Sequence, residues 1–173
     1  MPVFLCIPKT EMRENIRRKW SFRINGQKQI LIKRAEEKET HVLMKIFLAK
    51  LYSDTFEDIK IEVRHPAEKR YKPDLLATNL MGEANFWGEC GEVSLEKVHT
   101  LISRYRDTHL CFAKWNINPA PFEKIIEDGL HKIRRKRSAA IDFINFSEVD
   151  REKIADNGEV LIAWEHLYHK RWE

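Results

Sequence analysis

Two carboxylic acids set into apolar sequence are the residues of this chain best placed to do chemistry. Asp74 stands in Pro73-Asp74-Leu75-Leu76-Ala77, and Glu89 in Asn85-Phe86-Trp87-Gly88-Glu89-Cys90. Both segments read as short strands around a turn containing Gly82, so the two acids are expected at one edge of the same sheet. Desolvating an ionised carboxylate among Leu, Trp and Cys costs on the order of several kcal/mol unless it is paired, hydrogen-bonded or ligated. A divalent cation removes that cost. Mg2+ (or Mn2+) takes one or two protein carboxylates and completes its octahedron with water and phosphate oxygens, which is what a phosphodiester-cleaving site requires. The same residues admit a structural reading, in which Asp74 fixes the turn and Glu89 pairs with Lys97 or Arg64.

The elements that position these acids follow from periodicity. Trp20-Ser21-Phe22-Arg23-Ile24 alternates apolar and polar, Asn25-Gly26 is a favoured two-residue hairpin turn, and Gln29-Ile30-Leu31-Ile32-Lys33 resumes as a strand. Residues 36–52 carry Val42, Leu43, Ile46, Phe47, Ala49 and Leu51 at helical spacing, and residues 59–63 alternate as a strand. Residues 65–72, with Pro66 and four basic side chains, are expected to be an exposed connection. Ser94 is an N-cap candidate for a helix reaching about Tyr105. Leu110-Cys111-Phe112-Ala113 has the continuous apolar character of a strand buried on both faces. A further helix opens at Pro119 and Pro121, with the basic knot Lys132, Arg134, Arg135, Lys136 and Arg137 in its last turn, where positive charge suits the dipole. Residues 3–7, 139–146 and 160–167 read as strands, and 147–155 as a short helical turn capped by Ser147. The strand–helix–strand step over 85–112 favours a parallel pairing. The predicted fold is an α/β mixed β-sheet flanked by helices, with an N-terminal hairpin, over a single domain of 1–173.

Composition narrows the classes. The chain has 173 residues, 43% of them hydrophobic and 34% charged, with 6 Gly and 6 Pro, the balance of a folded globular protein. No apolar run is long enough to cross a bilayer and no leader-like segment is present, so a cytoplasmic location is expected. Cys6, Cys90 and Cys111 lie singly in apolar segments and read as buried small hydrophobes rather than zinc ligands. A net charge of +4 does not by itself select nucleic acid. His65, His109, His131, His166 and His169 show no metal-ligand spacing and read mostly as surface residues; His166 and His169 are expected on opposite sides of a strand. There is no nucleophile elbow, phosphate-binding glycine loop or Ser/His/Asp arrangement.

The Pro73-Asp74 dipeptide, a turn, and an acid on the adjacent strand resemble the PD-(D/E)XK nuclease-like superfamily, and within it the YaeQ group, which is marked by a hairpin before the first helix, a Pro-Asp, and an acid-x-Gly after a Trp. Those features here are residues 20–33, Pro73-Asp74, and Trp87 with Glu89-Cys90-Gly91. The resemblance implies a restriction-endonuclease-like core: a helix, a three-strand meander, a second helix and a further strand. It also implies a lysine two residues after the second acid, where this chain has Gly91. Lys97 or His99 on the following helix, or Lys114 at the end of the next strand, is then the stand-in. Its role would be to orient or deprotonate the attacking water and balance charge on the phosphate. Glu39, where the superfamily often places another acid, would be a third metal ligand, although an acid in a helix's first turn also serves the dipole.

The resulting expectation is a Mg-dependent phosphodiester hydrolase acting on nucleic acid. Asp74 and Glu89 hold the cation, Lys97 assists, and Lys69, Arg70, Lys72, Arg104 and Arg106 hold the phosphate backbone. The alternative is a nonenzymatic nucleic-acid or protein-interaction module on the same fold. A weaker third reading makes 160–172, rich in Trp and Tyr, a partner surface.

Overall fold

The computed structural model describes residues 18–173. The strand expected at 3–7, Cys6, Arg13 and Arg17 lie outside the described residues. Strands β1 (Arg18–Ile24) and β2 (Gln27–Lys33) pair antiparallel with Ile24 opposite Gln27. The turn residues Asn25 and Gly26 have φ of 50° and 77°, both positive as a type I′ hairpin demands.

The rest of the chain alternates around one six-stranded sheet. Helix α1 (Glu39–Tyr52) precedes β3 (Lys60–Ile61), β4 (Leu75–Thr78) and β5 (Ala84–Cys90). Helix α2 (Leu95–Arg104), β6 (His109–Trp115), α3 (Pro119–Lys132), β7 (Ile141–Phe146) and β8 (Tyr168–Trp172) follow. Strand order matches chain order from β3 to β8. The steps β5–β6 and β6–β7 are parallel because a helix returns the chain each time, and the remaining pairs are antiparallel.

Strand alternation decides what each face touches. Phe86, Cys90, Cys111 and Ala113 join the core under α1, whereas Trp87, Leu110, Phe112 and Phe143 join the core under α2 and α3. Helix α1 is buried nearly all round because the hairpin closes its outer side with Trp20, Phe22, Ile24 and Leu31. By contrast α2 buries only Val98, Leu101 and Ile102, and its start is capped by Ser94, whose Oγ accepts the Lys97 N–H at 3.2 Å. Among the described residues no helix is long and apolar enough to cross a membrane.

Four segments depart from the sequence expectations. The strand expected at 59–63 shrinks to Lys60–Ile61, because Glu62 turns to φ 60° and sends its carboxylate to Lys45 at 2.5 Å. The connection 65–72 exposes Pro66, Ala67, Lys69 and Arg70 as expected, but two of its side chains turn inward and tie it down. Glu68 is only 2% exposed and accepts from Tyr105 Oη at 2.7 Å and from the N–H groups of Arg70 and Tyr71, while His65 is also buried. The last strand is Tyr168–Trp172 rather than 160–167. Val160 pairs instead with the hairpin, donating its N–H to Arg23 O at 2.9 Å, and with Ile162 fills the α1 core. The basic knot outlasts α3, and Arg137 turns inward to donate to Ile102 O at 2.9 Å and Thr108 O at 2.6 Å, satisfying a carbonyl near the end of α2.

The sequence also gave no warning of a buried ionic knot at the starts of β6 and β7. Asp142 has no solvent exposure, yet it accepts from Tyr52 Oη at 2.5 Å, His109 Nε2 at 2.6 Å, His169 Nε2 at 2.9 Å and both Arg171 Nε and Nη2 at 2.8 Å. His109, partly buried, and His169, which stays exposed as expected, therefore both serve this buried carboxylate. Burial opposes the charge of Asp142, but hydrogen bonds from Arg171, His109, His169 and Tyr52 outweigh it and hold the carboxyl far below its usual range. Because the folded pKa is depressed, the stability this group contributes is complete above its unfolded value near pH ~4 and is lost as pH falls toward the folded one. Urea unfolding at neutral pH should show Asp142→Ala less stable than wild type by about 3–5 kcal/mol, since removing the acid strands buried donors, and the gap should narrow in acid.

Candidate active site

Asp74 immediately precedes β4, and its N–H donates to Gly88 O on β5 at 3.0 Å. Its Oδ2 accepts the Cys90 N–H at 2.8 Å, and its Oδ1 lies 3.2 Å from His41 Nε2 at the start of α1. Burial raises the carboxyl pKa, but the His41 contact and the Cys90 N–H outweigh it, so Asp74 sits below the usual carboxylate range.

Glu89 projects from β5 on the α2 side. Its Oε1 accepts Trp87 Nε1 at 2.7 Å, and Lys97 Nζ lies 2.6 Å from Oε1 and 2.7 Å from Oε2. Burial pushes its pKa up, Lys97 pulls it down, and the negative charge of Asp74 pushes it up again, leaving Glu89 at about 7. The two acids therefore sense each other's charge. Lys97 reaches Glu89 from the first turn of α2, its own backbone fixed by the Ser94 cap.

Helix α1 supplies a supporting layer. Lys45 is 1% exposed and bridges Glu37 and Glu62, each at 2.5 Å, and its positive charge also favours ionised Asp74. His41 stands 4.0 Å from Glu37 as well as facing Asp74. His41 and Lys45, four residues apart, share one face of α1, and Glu37 reaches them from the turn before the helix. The sequence reading assigned none of the three a role.

Gly91, the position at which the resembled pattern has lysine, adopts φ 75°, and a Cβ there would meet His41 Nδ1 and Met44 Cε at 3.6 Å. Lys114 comes to the same place from β6, donating to Gly91 O with its ammonium 4.2 Å from the centre of the Phe122 ring. Burial lowers its pKa to about 8 against the opposing pull of Glu92 and Glu89. His99 lies elsewhere, with Nε2 3.1 Å from Ile125 O between α2 and α3. Glu39 also stands apart from the acid pair, its carboxylate 3.6 Å from Arg151.

Two openings meet at His41. An open cleft of about 820 Å³ runs between the starts of α1 and α3 and is bordered by His41, Gly91, Glu92 and Lys114. A smaller one of about 280 Å³ holds Asp74, Glu62 and Lys72, and His41 and Glu37 line both. They lie at the carboxyl ends of β5 and β6, the edge where open α/β sheets bind ligands.

The donor set is that of a hard cation. Among the described residues no group of three or more His, Cys, Asp and Glu could hold a metal, so an ion here would draw on Asp74 and Glu89 and fill its shell with water and substrate oxygens. The elevated pKa of Glu89, kept up partly by its neighbour acid, marks a site that positive charge would relieve. Two of the cations expected to hold a phosphate backbone are already engaged, Arg70 with Glu96 at 2.6 Å and Arg104 with Glu68 at 3.3 Å. Of the aromatic groups in the final segment, Trp164 packs edge-on against Tyr52 at 5.3 Å, while Tyr168 donates to Glu123 and stays 46% exposed.

Because the folded pKa of Glu89 exceeds its unfolded value, the folded state holds the proton longer, and stability falls as pH rises between the two values. Thermal unfolding of wild type and Glu89→Gln should therefore cross over, with the variant gaining about 2–3 kcal/mol on wild type between roughly pH 5 and pH 8. A pH-independent difference would place Glu89 in a far more polar setting.

Comparison with known proteins bears on the fold. No protein-family model matches the chain, and no curated protein does. Among solved structures, the chain is similar to the YaeQ protein from Pseudomonas syringae, with a TM-score of 0.52 and 16% identity over 75% of this chain and 72% of that one. A YaeQ protein from Xanthomonas axonopodis pv. citri aligns with a TM-score of 0.48 and 13% identity over 75% of this chain and 73% of that one. At such identity the likeness to the Pseudomonas syringae protein is one of fold: a mixed sheet flanked by helices, with an antiparallel hairpin at its N-terminal side.

Proposed function

We propose that this chain is a metal-dependent phosphodiester hydrolase acting on nucleic acid, of the PD-(D/E)XK nuclease-like kind. One observation carries the reading. Asp74, Glu89 and Lys97, drawn from the approach to β4, from β5 and from α2, are charge-coupled through Glu89, and Asp74 lines the smaller opening of about 280 Å³. Buried acids coupled in this way are a common mark of a reactive site.

Asp74 and Glu89 would hold Mg2+ or Mn2+, which when bound supplies Lewis acidity to a phosphate oxygen and acidity to a water. The chain's own residues do the rest. His41 and the Cys90 N–H orient Asp74, and the Trp87 indole orients Glu89. Lys97 holds the carboxylate of Glu89 and would offset negative charge developing on the phosphate.

One observation favours the nonenzymatic alternative, since Lys97 pairs with both oxygens of Glu89 and by itself offsets its charge. Purified chain incubated with single- and double-stranded DNA and RNA should cleave with Mg2+ or Mn2+ and not with chelator. Asp74→Ala and Glu89→Gln should each reduce cleavage by roughly a hundredfold or more, and Lys97→Ala by about 10²–10⁴-fold. Unaltered cleavage in both acid variants overturns the assignment. Salt-dependent binding with no metal-dependent cleavage selects the nonenzymatic module.

A further inference from the structure

The larger cleft has a polarity that the acid pair does not explain. Its volume of about 820 Å³ falls within the range of about 300–1,000 Å³ typical of small-ligand sites. Its wall is apolar, formed by Met44, Ile117, Pro121, Phe122 and Ile125. Ile117 is 38% exposed at the rim, whereas Phe122 is buried deeper. The floor is cationic, because Lys114, itself only 9% exposed, rests over the Phe122 ring. Its margin toward Asp74 is acidic, with Glu37 and Glu92 beside His41.

We propose that this cleft seats a single unpaired nucleotide, its base against the Phe122 and Ile125 wall and its phosphate at Lys114, so that single strands or frayed ends rather than intact duplexes are the substrate. The inference rests on the nuclease reading for its chemistry, and it adds the form of the nucleic acid. An apolar wall next to a cation suits a base joined to a phosphate, whereas a purely basic groove would suit a duplex backbone alone. A paired base is enclosed by its stack and reaches a recess only when extruded, and that step is least costly where the strand is already single. The two openings share His41 and Glu37 in their linings, so a strand seated at Lys114 would continue toward Asp74.

Binding measured without metal separates this inference from catalysis. Fluorescence anisotropy of the full chain in chelating buffer should show a labelled single-stranded thymidine oligonucleotide bound roughly tenfold or more tighter than a blunt duplex of equal length. Ile125→Glu, at the half-buried rim, and Lys114→Gln should each weaken single-strand binding by about tenfold while changing duplex binding less than about twofold. Circular dichroism melting checks that each variant folds, and the rim variant keeps the test decisive if the buried lysine proves structural. Equal or tighter duplex binding, or single-strand binding indifferent to Ile125→Glu, overturns the inference even if cleavage is intact. Loss of the nuclease reading shows instead as absent cleavage with the strand preference unchanged.

Discussion

A carboxylate taken out of water must be met by donors, and the two ends of this sheet meet that constraint to very different degrees. At the starts of β6 and β7, Asp142 is surrounded by Tyr52, His109, His169 and Arg171 until its charge is more than compensated. At the other end, Glu89 has the Trp87 indole and Lys97 but also a second acid nearby, and its pKa stays at about 7. The first arrangement ties α1, β6, β7 and β8 together. The second leaves a local excess of negative demand beside an opening, the condition under which a cation or a substrate proton has something to do.

The scaffold explains why the contrast falls where it does. Parallel β5 and β6 end together at Cys90 and Trp115, so their last residues and the starts of α1 and α3 converge on one edge. Side chains there come from several elements and are fixed by backbone contacts, such as the Cys90 N–H on Asp74 and the Ser94 cap under Lys97. Covering α1 with the hairpin lets that helix carry Lys45 inside the protein, where Glu37 and Glu62 neutralise it and its charge reaches Asp74. The site thus borrows its electrostatics from a helix that a two-layer fold would leave half in water.

Much of this was legible from local signals. Asn25-Gly26 located the hairpin turn, Ser94 located the start of α2, and the continuous apolar run at 110–113 marked a strand covered on both faces. Asp74 and Glu89 stood out because acids are rare in apolar strands, and the strand pairing put them on neighbours. Features that depend on distant partners stayed hidden. Asp142 draws on Tyr52 and His109, far away in sequence, and nothing local to Ile141-Asp142-Phe143 announces them. Val160 and Ile162 alternate as a sheet strand would, but the hairpin claims the Val160 N–H. Arg137 looked like the last charge of a solvated run, although the carbonyls it serves lie on α2 and its exit loop.

Gly91 carries a consequence for how such a chain can change. Its backbone sits at φ 75°, a conformation that side-chain-bearing L-residues resist, and the volume above it is bounded by the His41 imidazole and the Met44 methyl. A lysine introduced at this position is therefore opposed by backbone geometry, while its Cβ would stand at ordinary contact distance, 3.6 Å, from both neighbours. Exchange at this turn is thus constrained by conformation more than by volume, and the basic groups at this edge come from α2 and β6, whose backbones carry side chains without strain.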